Sequence, residues 1–204
     1  MEETKREEIT RKRIIEVATK QFLELGYKKV TMDEIAEQLG MSKKTLYHFF
    51  PSKYELFNVI TDEKITKINS YVNEIVESKE INFIEKVHQI IKYVSQEQNQ
   101  MRPAALLDIQ KSVPDIWKKI MDIQKEQIAI KFTQLIEMGK EQGYIRMDIP
   151  SEIITAVYST VILSMLNPEI YNALNRTPSE CFSYAVKIIY EGILTSKGLQ
   201  EFKV

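Results

Sequence analysis

The 204-residue chain has one cysteine, two histidines, one tryptophan, six glycines and six prolines, and each scarcity removes a class of protein. Cys181 has no second thiol to join, so no internal disulfide can staple the fold and a reducing cytoplasm is the expected setting. One cysteine and two distant histidines, His48 and His88, cannot make a zinc site. Long apolar runs are missing too. The most apolar stretch, Ile153–Leu166, is about 14 residues, too short to span a bilayer, and is interrupted by Thr155, Ser159, Thr160 and Ser164. The opening MEETKREEITRKR lacks the apolar core of a signal peptide. No membrane partner is expected. Neither sign of charge dominates: 28 basic against 29 acidic residues leave a net −1, so composition alone does not point to nucleic acid. There is no P-loop, no dinucleotide-binding glycine pattern, no HExxH and no nucleophile elbow. The chain is expected not to be an enzyme and to carry no cofactor.

What is present is helix. Hydrophobic residues make up 44% and charged residues 28%, an ordinary globular composition, and no long segment alternates with period two. The expected fold is all-α. A first helix is expected over about 8–25, with Ile14, Val17, Ala18, Phe22 and Leu25 at helical spacing and Gly26 as its C-terminal cap. Thr31 caps a second helix that runs to about Leu39, with Asp33 and Glu34 in its first turn. Gly40 makes a turn, Ser42 caps a third helix, and Pro51 stops it near Phe50. Ser52 caps a long fourth helix reaching about Ser78. Further helices are expected at about 81–99, 102–112, 114–142, 151–166 and 178–196, separated by proline and glycine breaks such as Asn167-Pro168.

Residues 31–56 carry the most information. Two short amphipathic helices meet at a glycine turn, the layout of a helix-turn-helix whose second helix enters the DNA major groove. In that second helix Leu46 and Phe50 share a face and should pack inward. Lys43, Lys44, Tyr47 and His48 then point outward, with Thr45 at the edge. Lysine can donate to guanine O6 and N7, while tyrosine and threonine hydroxyls suit phosphate. Each residue also has an ordinary explanation: the lysines as solvated surface, Tyr47 as a half-buried packing residue, His48 as an exposed helix residue, Ser42 as a cap only. The combination of so many outward donors on one short helix is what packing does not explain.

Residues 9–56 resemble the N-terminal domain of TetR/AcrR-type transcriptional regulators. The match runs through Thr31, Ile35-Ala36, Gly40, Met41-Ser42-Lys43-Lys44-Thr45-Leu46-Tyr47, Phe49-Phe50 and Ser52-Lys53-Tyr54-Glu55-Leu56. The resemblance implies that Thr31, Thr45, Tyr47 and Lys53 contact phosphate, that Ser42, Lys43 and Lys44 face bases or flanking phosphates, and that His48 lies at the groove. Two positions depart from the pattern: Lys44 stands where glycine is common, and Phe49 where a polar histidine or tyrosine is usual. Both bear on which operator is read.

The expected division is a DNA-binding domain over 8–68 and a helical regulatory and dimerisation domain over 69–204. After residue 60 no motif is diagnostic. The resemblance implies a domain that dimerises and encloses a small-molecule pocket. The helices at about 151–166 and 178–196 are apolar around much of their circumference; with the resemblance, this points to a homodimer contact through them, burial within one subunit being the alternative. Met101, Leu106, Leu107, Trp117, Met121, Phe132, Met138 and Tyr158 are the central residues from which a pocket could be built. The expected function is a ligand-responsive regulator, a repressor, that binds a pseudo-palindromic operator as a homodimer. The alternative is a helical protein-interaction module without sequence-specific DNA binding.

Overall fold

A computed structural model describes residues 2–100 and 102–202, and among them the fold is all-α. The helices are α1 (Glu2–Leu25), α2 (Met32–Leu39), α3 (Lys43–Phe49), α4 (Lys53–Glu77), α5 (Phe83–Asn99), α6 (Pro103–Ser112), α7 (Pro114–Glu141), α8 (Ser151–Ser164), α9 (Pro168–Leu174), α10 (Pro178–Ile193) and α11 (Ser196–Glu201). The chain forms two compact units. The first holds residues 1–66 and 100–117, the second 67–99 and 118–204. α4 makes the first crossing, after residue 66, as one unbroken helix.

In the first unit the apolar spacing of α1 puts Ile14, Ala18 and Phe22 at no more than 1% exposure, and Ile35, Leu46, Leu56 and Phe57 are buried in the same unit. Burying an isoleucine, leucine or phenylalanine side chain is worth about 1.5–3 kcal/mol. Phe22 meets Phe57 edge-on at 4.9 Å, and Tyr27 meets Phe57 at 5.3 Å. Residues 102–115 return to the same unit. The Arg102 backbone N–H donates to the Leu23 carbonyl at 3.3 Å, its guanidinium pairs with Glu24 at 3.0 Å, and Tyr54 donates its hydroxyl to the Asp115 carboxylate. The Lys28 backbone N–H donates to Asp108 Oδ2 at 2.7 Å. Gly26, at φ +84°, lies beside that carboxylate: a Cβ there would be 2.7 Å from it.

The second unit is built on Phe83, Val87, Phe132, Leu135, Ile136, Ile154, Ile162, Phe182, Val186 and Tyr190. Lys86 is buried, and its ammonium donates to the carbonyls of Ile75, Val76 and Ser78. It thereby closes the C-terminal end of α4, where carbonyls lack helical partners.

Three elements differ from the sequence expectation, the first being α1, which begins at Glu2 rather than near residue 8. Pro168 does not merely break the chain: it starts α9, because proline suits the first helical position, where no N–H is needed. The helix expected over 178–196 ends at Ile193, and Thr195 caps a separate α11 by accepting from the Gly198 N–H at 3.1 Å. The break is tertiary in origin. Leu194 forms an antiparallel bridge with Ile145, and Arg146 N–H donates to the Ile193 carbonyl at 2.9 Å.

Candidate nucleic-acid interface

Local chemistry builds the two short helices at residues 31–50. The Thr31 hydroxyl accepts from the Glu34 N–H at 3.2 Å, and the Glu34 carboxylate accepts from the Thr31 N–H at 3.1 Å. This capping box satisfies two donors that a helix start leaves open. The Thr31 hydroxyl also donates to that carboxylate, at 2.8 Å. Gly40 ends α2 at φ +65°, a left-handed conformation that costs other residues roughly 1–2 kcal/mol. Ser42 then caps α3 by accepting from the Thr45 N–H at 3.1 Å, and the two hydroxyls lie 2.8 Å apart. Ser52 caps α4 by accepting from the Glu55 N–H at 3.0 Å.

Leu46 is fully buried and Phe50, just after α3, is 2% exposed. With that side anchored, Ser42, Lys43, Lys44, Thr45, Tyr47 and His48 are all exposed. Tyr47 keeps 46% of its surface open, a large aromatic held out in water. Lys44 forms no ion pair among the described residues. The structure therefore brings six of the eight expected DNA-contacting residues onto the outer side of one short helix and its cap.

The other two lie at the flanks. Thr31 sits at the start of α2, its hydroxyl engaged in the capping box. Lys53 is more committed. Its ammonium donates to the carbonyls of Tyr27 at 3.0 Å and Val30 at 2.9 Å, and lies 4.3 Å from the centre of the Tyr27 ring. Burial pushes its pKa below the ordinary lysine value, while Asp108 works the other way. Lys53 thus braces the turn that leads into α2.

Two acidic partners, Asp33 and Asp108, join this region across the fold. Lys43 forms an ion pair with Asp33 at 2.6 Å, which raises the lysine pKa through the hydrogen bond and the opposite charge. Asp108 holds the α1–α2 turn from α6. Neither pairing follows helical spacing, so neither carries a periodic signal in sequence.

Residues 14–60 match the profile of "Bacterial regulatory proteins, tetR family". The chain is 28% identical over 182 residues to YvaF of Bacillus subtilis, an uncharacterised HTH-type transcriptional regulator, covering 89% of this chain and 94% of that protein. The chain belongs to the TetR/AcrR family of transcriptional regulators. Solved structures agree on the fold of this TetR-family protein over nearly its whole length. SmeT, the repressor of the Stenotrophomonas maltophilia multidrug efflux pump SmeDEF, superposes with a TM-score of 0.67 at 12% identity, covering 91% of each chain. A transcriptional regulator from Saccharomonospora viridis, in complex with choline, superposes at 0.66 and 16% identity, covering 92% of this chain and 99% of its own. The helix-turn-helix is accordingly the DNA-binding part of the TetR-family chain.

The residues expected to line a pocket are dispersed. Phe132 and Tyr158 meet as a parallel stack in the core of the second unit, and burial raises the Tyr158 hydroxyl pKa far above its ordinary value. Leu106 is buried in the first unit and half-buried Trp117 ends its chain segment. Met121 is half-buried in the second unit, and Met101 lies outside the described residues. A separate open groove of about 540 Å³ runs between α7 and α8, lined by Thr133, Glu137, Glu152, Thr155 and Ser159 among others. No helix among the described residues is long and apolar enough to cross a membrane.

Proposed function

We propose that this TetR-family regulator is a ligand-responsive repressor that binds a pseudo-palindromic operator as a homodimer and acts on DNA in the cytoplasm. The observation that carries the reading is the exposed front of α3, where Lys44 and Tyr47 stand free of the core behind two capped helix starts. Lys44 and Lys43 would meet base edges, Ser42, Thr45, Tyr47 and Thr31 would meet phosphate, and His48 would lie at the groove wall. Lys53 has spent two of its three ammonium hydrogens within the fold, so its role is mainly to hold the turn before α2.

Dimerisation is supported by two apolar stripes that one subunit does not cover. Ile153 and Val157 of α8 are 53% and 52% exposed, and Tyr184 and Ile188 of α10 are 60% and 71% exposed. Each pair is one helical turn apart. A two-fold axis joining these stripes would present two α3 helices to successive major grooves, about 34–36 Å apart. An effector would occupy the second unit, with Phe132, Tyr158 and Met121 among its candidate neighbours, and act through a difference in affinity for two states linked by α4. The repressor named SmeT and the choline-bound regulator supply the precedent for repression and for a small-molecule ligand.

The test is binding of the purified protein to DNA from around its own gene, with random DNA as competitor. Preference for the former is expected. Replacing Lys43, Lys44 and Tyr47 together by alanine should abolish it while thermal unfolding and oligomeric state stay unchanged. Unchanged DNA affinity in that variant would remove the reading and favour a protein-binding module.

A further inference from the structure

The first described turns of α1 stand clear of the core. The helix begins at Glu2, yet its first buried residue is Ile14. The described side chains before that point are exposed, or half-buried at Thr10 and Arg11, so nothing in apolar burial explains why the helix extends so far. This overhang is sided in charge. At about 100° per residue, Lys5, Arg6, Lys12 and Arg13 fall within roughly 120° of one another, with exposed Ile9 among them. The face lies opposite Ile14, Ala18 and Phe22, while Glu7 and Glu8 fall outside it. Glu16, one turn further on, closes the basic stretch.

Its position relative to the reading helix is set by Arg11. The Arg11 guanidinium pairs with Glu63 of α4 at 3.1 Å and lies 5.3 Å from the centre of the Phe50 ring, where α3 ends. The overhang therefore starts beside the C-terminal end of α3. With a rise of about 1.5 Å per residue, Lys5 lies roughly 9 Å further along the α1 axis than Arg11. None of Lys5, Arg6, Lys12 and Arg13 forms an ion pair among the described residues.

We infer that this basic face is a second, sequence-independent DNA contact, which grips backbone phosphates flanking the base pairs under α3. The inference rests on the DNA-binding reading above and adds to it a patch outside the helix-turn-helix. Lysine and arginine supply the charge, and Ile9 lies among them against the sugar edge. Such contacts raise affinity for all sequences alike and release counterions.

The test uses random-sequence duplex DNA and follows binding across salt. The variant Lys5→Gln/Arg6→Gln/Lys12→Gln/Arg13→Gln should fold normally, since every changed side chain is exposed. If each subunit of a dimer places two of the four on phosphates, the log–log salt slope should become shallower by roughly 3–4. The charge-conserving variant Lys5→Arg/Lys12→Arg should keep the original slope. An unchanged slope in the glutamine variant, while Lys44→Ala/Tyr47→Ala still loses affinity, would make the face ordinary solvated surface and overturn this inference alone. Absence of duplex binding by the unaltered protein at low salt would overturn it together with the DNA-binding reading.

Discussion

Lys43 and Asp33 pair at 2.6 Å and tie the front of α3 to the first turn of α2. Both side chains are more than half exposed, so water screens the pair and it adds little to stability. Its consequence lies in DNA binding. A carboxylate held beside Lys43 also faces any phosphate that the lysine approaches. At about 6 Å in water such a repulsion is about 0.7 kcal/mol, a factor of roughly three per subunit. Asp33→Asn should tighten binding to random duplex DNA by about that factor and leave the melting temperature within a degree or two. Weaker binding would show instead that Asp33 positions Lys43 productively.

Lys53 separates a structural from a recognition role. Its two carbonyl acceptors and the Tyr27 ring make it a brace for the turn over 27–30. Lys53→Met keeps the stem and removes the charge. Hydrogen bonds to charged groups contribute about 1.5–3 kcal/mol, so a loss of about 2 kcal/mol in urea unfolding is expected. A residue whose work is confined to phosphate would leave unfolding unchanged and reduce only the salt slope.

The uncovered stripe on α10 predicts the response of the assembly. Ile188→Glu places a charge at a position that is 71% exposed in one subunit, so the subunit itself should fold as before. In a dimer that buries Ile188, an unpaired charge would cost several kcal/mol on each side of the two-fold. Sedimentation should then report monomers, and DNA affinity should fall because two half-sites are no longer bound together. A dimer that persists would place the contact elsewhere.

Glu180 predicts one component of acid sensitivity. Its carboxylate accepts from the Thr177 N–H and hydroxyl at the start of α10, and these bonds, foremost the backbone one, hold its pKa below the ordinary glutamate value of 4.5. A depressed carboxylate contributes stability that is fully present above its unfolded pKa and is lost as pH falls through the folded value. The capping box should therefore weaken below about pH 4.5. Glu180→Gln should flatten the decline of melting temperature in that range and change little near neutrality. An unaltered acid decline would assign it to other carboxylates.

Legibility in the sequence followed the range of the interaction. Thr31, Gly40, Ser42 and Pro51 punctuate the helix-turn-helix through contacts with residues no more than four positions away, so their roles could be read without a fold. Leu46 and Phe50 likewise declared the inner side of α3 by their spacing, which left Lys44 and Tyr47 outside. Pro168 was ambiguous because proline both ends helices and begins them, and α9 took the second option. The end of α10 was not readable at all, since the bridge from Ile145 to Leu194 that breaks it comes from a distant part of the chain.

By itself the sequence determined the helical class, the family resemblance, the capped helix-turn-helix and the outward set on α3, because these depend on local hydrogen bonding and on the helical repeat. Only the tertiary structure decided what the charges do. Lys53 became a brace because the Tyr27 and Val30 carbonyls fold back onto it, Lys43 gained Asp33 across the turn, and Asp108 reached the Lys28 amide from α6. A charge finds its partner through space at hydrogen-bond range, and no periodicity along the chain records which partner that will be.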